Sequence, residues 1–278
     1  MENKSCTVIQ KHKEVTLQSD FSSNKSTSRA FIRQKAPASL RNSVESSTPD
    51  ILTFGTKAAN SVAPNTSITD ALIIKASWPQ CAPGKNIFSR LGQKRFNNYY
   101  DLLTKKVFQY GKKVLLPRVQ LNHLNQIQTT ESKQRCPFSL TLEYKTTYED
   151  ENFISIYVDV IEETGGKYRT ITRFGDTWEK PGGWPLKLTY FFPHEKHVKK
   201  IIMSNILELA EIDAKLCHED FGKTDMKKLR RYFSSENYYL TDGKITIFYP
   251  QSTIKSQKYG IPSYSFKNDY LQKSAPSV

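Results

Sequence analysis

Residues 138–145 and 154–160 alternate strictly between apolar and polar side chains. Phe138, Leu140, Leu142 and Tyr144 fall on one parity, and Ser139, Thr141, Glu143 and Lys145 on the other. Ile154, Ile156, Val158 and Val160 repeat the pattern against Ser155, Tyr157 and Asp159. Successive side chains of a strand point to opposite faces, so a period of two commits each run to a half-buried β-strand. The polar stretch Tyr148-Glu149-Asp150-Glu151-Asn152 between them is short enough to close an antiparallel hairpin. Residues 168–178, after Thr164-Gly165-Gly166, supply a third strand of the same meander.

Other elements fall around this sheet. Residues 71–77 read as a first strand ending at Trp78-Pro79. Phe88, Leu91, Phe96, Tyr99, Leu103, Val107 and Tyr110 recur every three or four residues, which predicts an amphipathic helix of about six turns. Gly111 or Pro117 is expected to end or kink it, and a further helical piece is expected over 118–128. A second long helix follows Phe191-Phe192-Pro193, with Val198, Ile201, Ile202, Ile206, Leu209 and Leu216 as its buried stripe. Residues 223–233 form a short basic helix around Met226, Leu229 and Phe233. Asp242-Gly243 between two β-rich runs predicts a two-residue hairpin of type I′, with positive φ at both turn residues. Residues 264–266 could add an edge strand. The expected class is α+β: a mainly antiparallel sheet with two long amphipathic helices, preceded by a disordered N-terminal segment.

That last expectation rests on composition. Residues 1–70 hold 12 Ser, 8 Thr, three Phe and neither Tyr nor Trp, whereas all 15 Tyr and three Trp come later. Such a stretch buries too little apolar surface to offset its ordering entropy. The remainder divides into 71–148 and 149–270, expected to form one compact unit. No apolar run approaches the ~20 residues of a membrane span, and no signal-peptide h-region is visible near the start. From these two readings a cytoplasmic location is expected. Cys6, Cys81, Cys136 and Cys217 are too widely spaced for a disulfide framework or a zinc ribbon. Cys81 and Cys136 could approach each other, though two unpaired thiols are simpler.

Several motifs, taken in order, carry a resemblance. Ile154-Ser-Ile-Tyr-Val-Asp-Val-Ile-Glu-Glu-Thr-Gly-Gly166 precedes a strand ending in Trp178 and then Gly183-Trp-Pro-Leu-Lys-Leu188. Tyr238-Tyr-Leu-Thr-Asp-Gly-Lys-Ile245, Tyr249-Pro-Gln251 and Tyr259-Gly260-Ile261-Pro262 complete the series. This order resembles the domain of unknown function at the C-terminus of RsiV-type anti-sigma factors, which also sits beside the catalytic domain of PdaC-type peptidoglycan deacetylases. The segment upstream is similar to the companion region of those proteins, so the resemblance spans about 71–267. It implies a non-catalytic α+β module working outside the cell membrane of Gram-positive bacteria, binding a lysozyme-like protein or a cell-envelope polymer. Lys167 and Tyr168 follow the two glycines here, where the family usually has a small residue and a histidine.

Charge marks one candidate surface. The chain carries 41 Lys plus Arg against 27 Asp plus Glu, a formal +14. Residues 75–145 hold 13 basic and three acidic side chains. Lys105, Lys106, Lys112 and Lys113 avoid the apolar stripe of the first helix for the most part and could attract nucleic acid, teichoic acid or anionic lipid, or could simply be a solvated face. Lys106 adjoins Val107 and could cover the core edge with its stem. Thr164, Gly165, Gly166 and Trp184 are the second candidate cluster, expected together at one end of the sheet: exposed glycine amides beside an aromatic platform. The alternatives are a tight connection at the glycines and a tryptophan that plugs the sheet end. His194 and His197 could share a metal, but no third ligand is near in sequence. Asp159 and Glu163 lie about 13 Å apart on one strand face at ~3.3 Å per residue, too far for a glycosidase pair. No nucleophile elbow or phosphate loop occurs. The expectation is therefore a binding module without catalytic residues, cofactor or metal, whose partner is an unknown protein or anionic polymer. The alternative is a basic cytoplasmic nucleic-acid-binding or sporulation-type accessory protein.

Overall fold

A computed structural model of the chain describes residues 8–17, 72–81, 88–119, 121, 138–165 and 168–274. Its centre is the expected meander. Strands β3 (Phe138–Glu149), β4 (Phe153–Glu163) and β5 (Thr170–Glu179) pair antiparallel in sequence order. Asp150 closes the β3–β4 hairpin, its Oδ1 accepting the N–H of Asn152 (2.7 Å) and of Phe153 (2.6 Å). Outside β3 lies β2 (Leu72–Cys81), and it is parallel to β3. Parallel neighbours need a crossover, and helix α1 (Arg90–Tyr110) provides it across one face of the sheet. The short β6 (Trp184–Pro185) completes the far edge.

The near edge departs from the expectation of a disordered tail over 1–70. Val8–Leu17 is a strand, β1, antiparallel to β2 along all ten residues of each. The outer edge of β2 presents a row of backbone donors and acceptors, and a paired strand satisfies them. A composition averaged over 70 residues hides the run Val-Ile-Gln-Lys-His-Lys-Glu-Val-Thr-Leu that does so. The other residues of 1–70 lie outside the described set, as do 122–137 with Cys136 and most of the helical piece expected over 118–128. Strand β2 also runs through Trp78-Pro79 instead of ending there. β3 leaves β2 at Ala76, so on that side the proline nitrogen interrupts no ladder.

A second, smaller unit packs on the opposite face. Strands β7 (Tyr238–Thr241), β8 (Lys244–Phe248) and β9 (Ser263–Lys267) form an antiparallel three-stranded sheet. Helices α2 (Val198–Leu216) and α3 (Lys223–Tyr232) cover it, and α4 (Asp269–Ser274) closes the described chain. The β7–β8 turn does sit at Asp242-Gly243. Only Gly243 has positive φ (+61°), so the turn is not type I′; Asp242 stays in the ordinary half of the map. The stripe of α2 is Ile202, Met203, Ile206, Ala210 and Ala214, while Leu216, expected inside, is 77% exposed at the helix end.

Two apolar cores result. One joins Phe96, Tyr100, Val107 and Leu115 to Ile74, Leu140, Ile156 and Val158. The other joins Phe153, Phe191, Ile206, Leu240, Ile247 and Tyr249. Their order is α1, large sheet, small sheet, then α2 and α3. Ser155, fully buried on β4, ties the two sheets together: its Oγ pairs with Thr177 Oγ1 (2.9 Å) and accepts the N–H of Leu240 (2.8 Å).

Gly111 caps the end of α1, as expected, but the helical path does not stop there. Residues Gly111–Leu115 widen into a π-helical turn and helix resumes over 116–119, through Pro117. Val107, Gly111, Leu115 and Val119 are buried at a spacing of four. At 3.6 residues per turn that spacing drifts round the helix, and the wider turn absorbs the drift. A side chain at 111 would lie 2.6 Å from Ile74 Cδ1 and 3.2 Å from Leu140 Cδ2, so glycine lets the helix approach the sheet without displacing either side chain.

Candidate functional site

The inner side of α1 is anchored by polar contacts at three heights. Near its start, Gln93 Nε2 donates to the Cys81 carbonyl on β2 (3.2 Å). In the middle, Asp101 Oδ1 accepts from Trp78 Nε1 (2.8 Å) and Gln80 Nε2 (3.1 Å), while Tyr99 and Tyr100 donate to Asp176 (3.0 and 3.3 Å). At the end, Tyr110 donates to Glu162 (3.2 Å). These contacts decide the charge of the outer side. Residues 88–119 hold eight basic side chains and one acidic one, Asp101, and that one is bonded to β2. Lys105, Lys106, Lys112 and Lys113 are all exposed, and the π-helical turn carries the last two. Lys106 is therefore not a cover for the core edge. Leu91, expected in the buried stripe, is 66% exposed on this side, and Leu102 is 49% exposed.

The second predicted cluster is not one site. Thr164 and Gly165 follow the last residue of β4, where Glu162 pairs with Thr170. Trp184 pairs with Glu179 at the other end of β5. Ten residues of strand lie between, about 30 Å at ~3.3 Å per residue, so the expectation that they share an end of the sheet is corrected. The two turns lie at opposite ends because β5 crosses the whole sheet between them. Gly165 is exposed with φ +75°, and a side chain built there would meet nothing within 4 Å; Gly166 lies outside the described residues. Thr164 and Gly165 instead share their end with Lys112 and Lys113, since Tyr110 bonds to Glu162 two residues before Thr164. Trp184 is 42% exposed, but its ring is not bare: the Arg95 guanidinium lies 3.6 Å from the ring centroid and donates to the Gly182 carbonyl (2.8 Å). Trp178 is buried in the α1 core, donating to Tyr100 Oη (3.0 Å).

Two titratable groups not among the sequence candidates, Arg173 and Asp176, lie on opposite faces of β5. Arg173 grips Asp159 directly across the β4–β5 ladder, Nε to Oδ1 at 2.7 Å and Nη2 to Oδ2 at 2.6 Å. Their opposed positions could have been found by aligning the two strands. Asp176 shares the inward parity of Phe174 and Trp178, and a carboxylate on an apolar parity was a visible signal. Some of the residue's surface is accessible, but its carboxyl is packed round with protein and held by hydroxyls. Burial pushes it up to about 6 against the two hydroxyl bonds that favour the charged form. Burial likewise raises Glu162, and it raises the Cys81 thiol to about 12, with Glu149 adding to it. That thiol stays protonated and unreactive at neutral pH; Cys81 and the exposed Cys217 are free. His194 and His197 are exposed, and among the described residues no three His, Cys, Asp or Glu side chains gather as a metal site.

A raised carboxyl stabilises the folded state while it is protonated. The stabilisation from Asp176 is thus fully present below the unfolded value of 3.8 and is lost as pH rises through about 6. Asp176→Asn removes this dependence. The stability difference between wild type and variant is expected to shift by ~1–2 kcal/mol in the variant's favour between pH 4 and pH 7, at 1.36 kcal/mol per pKa unit trimmed for residual exposure. Urea midpoints at both pH values read it, and a constant difference would contradict it.

No protein-family profile matches the chain, and no curated protein matches it. Solved structures do. A DUF3298 family protein from Pseudomonas aeruginosa is 14% identical, covering 75% of this chain and 87% of its own, with a TM-score of 0.46. A DUF3298 family member from Bacteroides fragilis is 15% identical, covering 73% of this chain and 83% of its own, with a TM-score of 0.49. DUF3298 is a domain of unknown function, and no catalytic activity comes with these neighbours.

Proposed function

We propose that this chain is a non-catalytic binding module whose outer α1 face holds an anionic polymer of the cell envelope. One observation carries the reading: α1 turns its one acidic side chain inward and presents Lys105, Lys106, Lys112 and Lys113 to solvent. Cations so arranged attract a polymer of regularly spaced negative charge, releasing its counterions. Exposed Leu102 beside them gives the polymer's apolar groups a foothold. The resemblance of residues 71–267 to the RsiV- and PdaC-associated domain points to an envelope polymer over a nucleic acid. The non-catalytic part of the reading is supported by Asp159 being buried and tied to Arg173, and by Asp176, beside the α1 core, being tied to Tyr99 and Tyr100.

The test titrates the full chain with polyglycerol phosphate and with single-stranded DNA at several salt concentrations. Affinity for polyglycerol phosphate is expected to fall steeply with salt. The variant Lys105→Glu/Lys106→Glu/Lys112→Glu/Lys113→Glu is expected to lose at least roughly tenfold, with a salt dependence shallower by about three logarithmic units per decade at ~0.7 per contact. The four side chains are exposed, so its circular dichroism should match wild type. Tighter binding of the DNA would favour the nucleic-acid reading, and an affinity indifferent to the four changes would remove the site from α1.

A further inference from the structure

A groove of about 1060 Å³ opens to solvent between the start of α2 and the end of α3, on the far side of the molecule from α1. Its apolar lining comes from Phe192, Val198, Met203 and Leu207. Phe192, which precedes α2, and Val198 and Leu207 of α2 pack at the edge of the second core and stay partly accessible, while Met203 belongs to the buried stripe beneath them. Around them stand Lys196, Lys199, Lys200 and Arg230, all exposed, with Glu195 as the one acidic side chain in the lining. The groove is therefore apolar within and strongly basic at its margin.

From this complementarity we infer that the groove docks an amphipathic helix of a partner protein, with its apolar stripe in the groove and acidic residues on its flanks. The volume exceeds that of most small-molecule pockets, ~300–1,000 Å³, and the open side admits a rod. A helix presents apolar residues at i, i+3, i+4 and i+7, which spans two turns and suits a groove bordered by two helices. Four cations around the floor demand carboxylates on the flanks of the guest, and a basic helix would be repelled. This site is independent of the α1 face and its test is separate.

The probe is a panel of labelled 18-residue peptides with leucine or phenylalanine at i, i+3, i+4 and i+7 and glutamate on the flanks. A matching panel carries lysine on the flanks. Anisotropy with the full chain is expected to show binding of acidic members only. Leu207→Glu is expected to weaken it roughly tenfold or more, as loss of a central apolar anchor does. Lys196→Glu/Lys200→Glu, at exposed positions that leave folding intact, is expected to weaken it by a similar factor and to reverse the preference between panels. The four-lysine α1 variant should bind the acidic peptides as wild type does. Absence of binding by any acidic member, equal binding of both panels, indifference to Lys196→Glu/Lys200→Glu, or oleate outcompeting every peptide would each overturn the inference.

Discussion

Gly175→Ala is expected to destabilise the fold by more than ~3 kcal/mol. Gly175 lies in β5 where the small sheet crosses it. A methyl group there would sit 2.1 Å from the Tyr238 carbonyl oxygen and 2.9 Å from Phe248 Cε1. An aromatic edge can swing away, but a backbone carbonyl cannot without moving its strand. Tyr238 is locked in the β7–β8 ladder opposite Ile247, and its hydroxyl donates to the Leu186 carbonyl (2.9 Å). Relieving the clash therefore means separating the two sheets along β7, which also strips the Leu240 N–H from Ser155. Overpacking in a core costs ~1–3 kcal/mol when side chains can yield; with backbone as the obstacle the loss should exceed ~3 kcal/mol, a large share of a typical stability of ~5–15 kcal/mol. Urea denaturation of the purified variant reads it. A midpoint equal to wild type would mean the sheets do not meet at Gly175.

Arg173→Met is expected to cost ~3–5 kcal/mol, the range for stripping one partner from a buried ion pair. Asp159 is 5% exposed, and both its oxygens are satisfied by the one guanidinium. The guanidinium also lies 3.8 Å from the Tyr157 ring centroid, so its planar fork is stacked as well as bonded. Methionine keeps the volume but leaves a carboxylate in a place with little water. The companion Asp159→Leu/Arg173→Met removes both charges and should recover most of the loss, since apolar replacement of such a pair is often close to neutral. Arg173→Lys should fall between, because an ammonium cannot bond both oxygens in the same plane. A double-mutant cycle by chemical denaturation separates these outcomes. A single Arg173→Met loss within ~1 kcal/mol would show the pair to be solvated.

What could be read from the chain in advance follows from how locally each feature is encoded. The meander β3–β4–β5 and the two long helices announce themselves through period two and period 3.6 in Leu140, Ile156, Phe96 and Ile206, because one side of each element meets a core. Turn chemistry alone places the β7–β8 turn at Asp242-Gly243 but not its type, since Asp242 lacks the positive φ that a type I′ turn needs. Strand β1 was hidden, because what stabilises it is the free edge of β2, more than fifty residues away, and not its own composition. Of the candidate site, the basic face of α1 was visible as charge beside an apolar stripe. The separation of Gly165 from Trp184 was not, since it depends on which way β5 runs. Nor was the groove between α2 and α3, which exists only once Phe192 and Arg230 are brought together in space.

Strand β4 gives one face to each core, with Ile154, Ile156 and Val158 on the α1 side and Phe153 and Ser155 on the other. A partition of this kind bears on evolution as much as on stability. A residue exchanged on one side of β4 can be accommodated by the layer it faces without disturbing the other, so the two layers are free to diverge at different rates. The strand's backbone is common to both and has no such freedom. An insertion of one residue would reverse every inward and outward assignment along it at once. Change in this architecture is therefore cheap at the helices and edges, and almost forbidden in the length of the strand between them.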